Sequence, residues 1–163
     1  MASWWADKTR QVAAHLRARV PPEERAALAG WIQPGELALF DAMHLADRRH
    51  GLDVVAWLRS DGITDPQVLV AGLLHDCAKG DTGVLPRIAY SLGERYGTGF
   101  WLVASWVPGW RAAVARLRVH AEASAALAAA AGCSPRTVEL IRHQDRPIDL
   151  EAGERLRRAD EAS

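Results

Sequence analysis

The stretch that most constrains this chain is Val68-Leu69-Val70-Ala71-Gly72-Leu73-Leu74-His75-Asp76-Cys77-Ala78-Lys79-Gly80, an apolar run that ends abruptly in an imidazole and a carboxylate. Asp65-Pro66 opens it with an N-cap residue and a proline at the first helical position, and Gly80 stands where a helix would stop. The pattern predicts one short helix, apolar enough to be buried. Its polar end is the harder constraint. A polar group taken out of water without a partner costs roughly 2–7 kcal/mol, and an isolated charge costs more. Adjacent helical residues point about 100° apart, so His75 and Asp76 do not share one line along the helix. Both can still lean toward one cation beside its flank.

That helix needs others to cover it, and the chain supplies them. Trp5, Val12, Leu16 and Val20 fall at helical spacings from Trp4 to about Arg19, ended by Pro21-Pro22. A second helix begins at Pro22, with Glu23-Glu24 suiting its positive end, and runs to about Gly30. Gln33-Pro34-Gly35 reads as a turn. Leu37, Leu39, Phe40 and Met43 make a short apolar face before Asp47, which is placed to cap a helix carrying His50, Val54, Val55, Trp57 and Leu58. Ser60-Asp61-Gly62 ends that helix. Between Leu85 and Trp110, glycines interrupt an aromatic-rich sequence in which two short helices are expected.

An alanine-rich helix follows from Trp110 to about Ala131, with Val114, Leu117, His120 and Leu127 on its inward stripe. Gly132 ends it, and Ser134-Pro135 starts the next, which carries Val138, Leu140, Ile141 and His143. Asp145 to Asp149 is a loop around Pro147, and a last helix runs from about Leu150 through Leu156 to Asp160. No run of β-branched residues alternates between turns, so no strand is predicted. The expected fold is a compact all-α single domain, with a helical segment at 1–36 packing on a core formed by 37–163. At 163 residues such a domain can bury a core without disulfides or a structural metal.

Charge excludes some functions. Twenty basic residues balance twenty acidic ones, which leaves no net field for nucleic acid or a membrane surface. No apolar run is long enough to span a bilayer, and the first residues lack the plan of a signal peptide, so a cytoplasmic location is expected. Cys77 and Cys133 lack metal-type spacing and read as small buried residues.

Four of the six histidines, His50, His75, His120 and His143, sit where helical periodicity points inward, and Asp160 follows Leu156 by four residues. A lone histidine on an apolar face is more often a hydrogen-bonded core residue than a ligand. Four of them with two acids, spread over separate helices, are poorly explained as independent coincidences. In that order, His50, His75-Asp76 and Asp160 resemble the H...HD...D signature of the HD-domain superfamily of all-helical metal-binding proteins. Asp47-Arg-Arg-His50-Gly-Leu-Asp-Val-Val is similar to that family's first-histidine helix, and Gly72-Leu-Leu-His75-Asp76-Cys-Ala-Lys79-Gly80 to its ALLHDxxK segment. His120-Ala-Glu-Ala-Ser-Ala-Ala-Leu and Leu140-Ile-Arg-His143 resemble the extra ligand helices of its binuclear branches. The resemblance covers about Leu37 to Ser163.

It implies that His50, His75, Asp76, His120, His143 and Asp160 bind two divalent ions, with Asp76 bridging them. Independently, six imidazole and carboxylate ligands exceed what one open tetrahedral site uses, and without thiolate they suit iron, manganese, cobalt or zinc. Two ions about 3.5–4 Å apart would ionise a bridging water near neutrality and neutralise a phosphate. The implied activity is a metal-dependent phosphohydrolase acting on a small phosphorylated molecule, a nucleotide-like ester or anhydride. A di-iron oxygenase using the same ligands and a non-catalytic nucleotide-binding domain are the alternatives. Asp76 and Lys79 are the expected catalytic residues, Lys79 as a flexible point charge on phosphate or, more blandly, facing the negative end of its own helix. Arg142 and Arg146 are second-rank phosphate contacts, better read as solvated surface. Trp57, Trp101, Trp106 and Trp110 read as core rather than as stacking platforms, and His44 as a helix-end residue. Two departures from the family pattern stand out. Cys77-Ala78 replaces the commoner Ile-Gly, and Gln144 stands where some relatives have histidine.

Overall fold

A computed structural model describes residues 18–80, 106 and 110–163, among which lie seven α-helices and no strand. They are α1 (Pro22–Leu28), α2 (Pro34–Ala42), α3 (Leu45–Ser60), α4 (Pro66–Leu74), α5 (Trp110–Ala130), α6 (Pro135–Arg142) and α7 (Ala152–Ala162). Proline sits in the first turn of α1, α2, α4 and α6, where its missing N–H costs nothing. Asp65 caps α4 by accepting from Gln67 N at 2.9 Å, and Ser134 Oγ caps α6 by accepting from Thr137 N at 3.2 Å. Gly62 and Gly132, at φ 84° and 90°, end α3 and α5 as their sequence positions predict. The helix expected from Trp4 to about Arg19 falls almost wholly outside the described residues. The two short helices expected between Leu85 and Trp110 also lie outside them.

Four sequence expectations are corrected. Gln33-Pro34-Gly35 is not a turn but the start of α2, where Glu36 Oε2 reaches back to accept from Gln33 N at 2.8 Å. Gly35 is there for proximity, since a Cβ on it would lie 2.2 Å from Ala131 O. α3 begins at Leu45, so His44 is its N-cap, with Nδ1 accepting from Ala46 N at 3.3 Å, and Asp47 lies buried in its first turn. α4 ends at Leu74, and His75 to Lys79 continue as turns to Gly80, which has a φ of 61°. Leu127 is 42% exposed, because the buried stripe of α5 runs through Leu117, His120, Ser124, Ala125 and Ala128.

α4 is central. Every residue from Val68 to Leu74 is buried, and the helix packs against α2, α3, α6 and α7. Its Leu73 and Leu74 are fully enclosed, as are Phe40, Val54, Leu58, Ile141 and Leu156 of the helices packed on it. Each such side chain contributes about 1.5–3 kcal/mol by leaving water. Leu28 and Ile32 join the same core, and Val20 and Trp31 pack against it. α3 and α4 also cross closely, where Gly51 and Gly72 remove side chains from the contact. A Cβ on Gly51 would meet Leu73 O at 2.4 Å, and one on Gly72 would meet Leu58 Cδ1 at 2.8 Å. His50 is therefore drawn up beside the end of α4. Among the described residues no helix is long and apolar enough to cross a membrane.

Candidate metal centre

α3 brings His50, the turn after α4 brings His75 and Asp76, α5 brings His120, and α7 brings Asp160. Two main-chain carbonyls set the chemistry of the buried rings. A carbonyl can only accept, so His75 Nδ1 donates to Gly72 O at 2.9 Å and His120 Nδ1 donates to Leu117 O at 2.6 Å. In each neutral ring Nε2 is then left with a lone pair, and both lone pairs face carboxylate oxygens. His75 Nε2 lies 3.3 Å from Asp160 Oδ1 and 3.5 Å from Asp76 Oδ2, and His120 Nε2 lies 3.8 Å from Asp76 Oδ1. His50 Nε2 stands 2.8 Å from Asp160 Oδ1 and 3.9 Å from Asp76 Oδ2.

Acceptors facing acceptors need a positive charge between them. For the protein alone that charge is a proton on His75. Burial pulls its pKa down, but Asp76 and the hydrogen bond to Asp160 outweigh this and raise it to about 9. Burial pushes Asp76 up, yet His75 and Lys79 hold its carboxyl well below the usual range. Asp160 follows the same logic. Burial of its carboxyl is outweighed by the hydrogen bonds from His50 and His75, which keep it low although 41% of its side chain is accessible.

The arrangement fits a divalent cation. Donor atoms of His50, His75 and Asp160 all lie within 4.8 Å of one another. Bonds of about 2.1 Å place neighbouring ligands about 3.0 Å apart in an octahedron and about 3.4 Å apart in a tetrahedron. The His50–Asp160 and His75–Asp160 separations of 2.8 and 3.3 Å bracket the octahedral value, while Asp76, 3.9 and 3.5 Å from the same two rings, stands outside that group of three. Asp76 Oδ1 is buried without a hydrogen-bond partner, on the side of the carboxylate that faces His120. One carboxylate thus turns Oδ2 to the rings of His50 and His75 and Oδ1 to that of His120. The donors are all imidazole or carboxylate. Burial pushes the Cys77 thiol up to about 11, and its Sγ donates to Ser124 O.

Lys79 Nζ donates to Asp76 Oδ2 at 2.5 Å. Ser124 anchors the intervening turn to α5, with its Oγ accepting from Ala78 N at 3.1 Å. Sequence reasoning passed over Ser124, although it lies four residues after His120 on the same buried stripe.

The remaining expected site residues sit differently. His143 caps the end of α6, where its Nε2 faces Glu139 Oε2 at 3.4 Å, and it lines an apolar cavity of about 230 Å³ with Leu140, Pro147 and Ile148. Arg142 is held by Glu122 and Glu139, and Arg146 is exposed. Trp57 packs against the core, whereas Trp106 is 85% exposed, contrary to its expected core position. Trp101 and the Trp110 side chain lie outside the described residues.

Comparison with protein-family models, with curated proteins and with solved structures finds no match to this chain.

Proposed function

We propose that this protein is a metal-dependent phosphohydrolase of the HD-domain kind, cleaving a phosphate ester or anhydride of a small nucleotide-like molecule. The observation that carries the reading is the buried Asp76 carboxylate, with imidazole nitrogens facing both its oxygens and a lysine ammonium on one of them. His50, His75, Asp76 and Asp160 would hold one ion, and Asp76 Oδ1 with His120 supports a second. Divalent ions bound there would acidify a coordinated water and neutralise charge on phosphate.

The protein's part is to hold those groups still and leave one side open. The main-chain carbonyls of Gly72 and Leu117 fix the tautomer and the plane of two rings. Among the described candidate ligands of this ion, Asp160 and His50 are the most accessible, at 41% and 25%, so they mark the side from which a substrate would approach. Lys79, on a flexible stem at that side, is suited to a phosphate oxygen.

The test is phosphate release from a panel of nucleotide esters and anhydrides by protein loaded in turn with manganese, iron, cobalt and zinc. Release with at least one metal, abolished in His75→Ala and Asp76→Ala, is expected. Stoichiometric metal without any phosphate release would refute the hydrolase, and oxygen uptake by the iron form would then favour the oxygenase.

A further inference from the structure

The Asp76 oxygen that faces His75 and His50 already has a cationic partner. Lys79 donates to Oδ2 at 2.5 Å, while His75 Nε2 and His50 Nε2 lie 3.5 and 3.9 Å from that same atom. An ammonium has three hydrogens and no lone pair, so it brings only repulsion to a second cation approaching the oxygen it holds. The main chain of this turn is fastened by the hydrogen bond from Ala78 N to Ser124 Oγ. Movement is left to the four-carbon stem of the lysine. Its side chain is 21% accessible, against 2% for Asp76, so of the two partners the lysine is the one that solvent reaches.

We propose that Lys79 competes with a divalent cation for Asp76 Oδ2, so that metal binding displaces the ammonium and thereby presents it to a phosphate. The inference rests on the reading above for the nature of the ligands. It adds an order of events: metal enters first, against the lysine, and phosphate follows. It also adds a coupling. A phosphate that gives the displaced ammonium a new partner must tighten metal binding, because linkage between two binding sites is reciprocal.

Wild-type protein and Lys79→Met, stripped with chelator, are titrated with Mn²⁺ by calorimetry, with and without inorganic phosphate. Lys79→Met is expected to bind Mn²⁺ about tenfold more tightly, and phosphate to tighten binding in the wild type but not in the variant. Equal or weaker Mn²⁺ binding by Lys79→Met overturns the proposal. A second measurement needs no variant. Acetylation of Lys79 at fixed pH, quantified by mass spectrometry against Lys8, the other lysine of the chain, should rise when Mn²⁺ is added. Unchanged or slower labelling overturns the proposal even if Lys79→Met does not fold. Failure of the wild type to bind Mn²⁺ removes both this inference and the metal reading. Mn²⁺ binding with the expected lysine effects, but without hydrolysis of any nucleotide, leaves the competition standing and refutes only the hydrolase.

Discussion

Gly51→Ala tests the contact on which the site is built. An ideal Cβ at position 51 would lie 2.4 Å from Leu73 O and 3.2 Å from its carbonyl carbon. A relaxed carbon–oxygen contact is about 3.3 Å, so α3 and α4 would have to part by roughly 0.9 Å. The obstacle is helix backbone, which has no rotamer to escape into. Overpacking of this kind costs about 1–3 kcal/mol, while alanine gains about 1 kcal/mol over glycine inside a helix. The net is a loss of up to about 2 kcal/mol, or a fall in Tm of up to roughly 8 °C for a domain of this size. His50 precedes Gly51 and His75 follows Leu73 by two residues, so the same displacement separates two candidate ligands by more than the roughly 0.5 Å a metal site tolerates. Urea denaturation in chelator measures the first effect, and calorimetric titration with Mn²⁺ the second. Gly30→Ala is the control, since its Cβ would meet Ala27 O at an ordinary 3.5 Å. If Gly51→Ala matched or exceeded wild-type stability with undiminished metal affinity, the close crossing of α3 and α4 would be wrong.

Three further outcomes follow from the same geometry. His75 is raised to about 9, so its contribution to the stability of the metal-free protein is fully present below about pH 6.5 and is lost as pH rises through 9. The loss is about 3 kcal/mol, seen as a falling urea midpoint, and a flat profile over that window would contradict the buried imidazolium. Leu156→Ala, at a fully buried position, should cost about 2–5 kcal/mol and weaken metal binding through Asp160; lost stability with unchanged affinity would separate the two. By metal analysis, His75→Ala should be devoid of metal and His143→Ala should keep at least one ion per chain. Complete loss in His143→Ala would mean that the end of α6 closes on the site.

Much of the fold is legible because its signals are local. Asp65-Pro66, Ser134-Pro135, Gly62 and Gly132 act through their own backbone geometry, and the structure uses them where they stand. The misread places depend on partners distant in sequence. Pro34-Gly35 has turn composition, but Gly35 answers to the backbone of Ala131 nearly a hundred residues away. Asp47 is the better cap by local preference, yet α3 starts at Leu45 with His44 as its N-cap and Asp47 sits at the helix's positive end in the first turn. In α5, alanines lie on every face, so a stripe extended seven residues from His120 to Leu127 is nearly as plausible as the one the core uses. The candidate site divides in the same way. Periodicity alone pointed His50, His75, His120, His143 and Asp160 inward, but it does not tell that His143 faces Glu139 at the end of α6, or which oxygen of Asp76 meets which ring, because both depend on how separate elements pack.

That dependence runs in both directions, and α7 shows it best. The only large apolar side chain it buries is Leu156, beside the small residues Ala152, Gly153 and Ala159. Arg157 and Arg158 pair within the helix with Glu154 and Glu161, and Arg155 reaches Asp61 at the end of α3. Exposed pairs of this kind contribute about 0–1 kcal/mol each, little beside the 1.5–3 kcal/mol from Leu156. The hydrogen bonds that His50 and His75 make with Asp160 therefore form a large share of what fixes α7 to the core. α7 thus both contributes Asp160 to the candidate metal centre and is tied to the core through it, so the charge between those imidazoles and Asp160 bears on how firmly α7 is held.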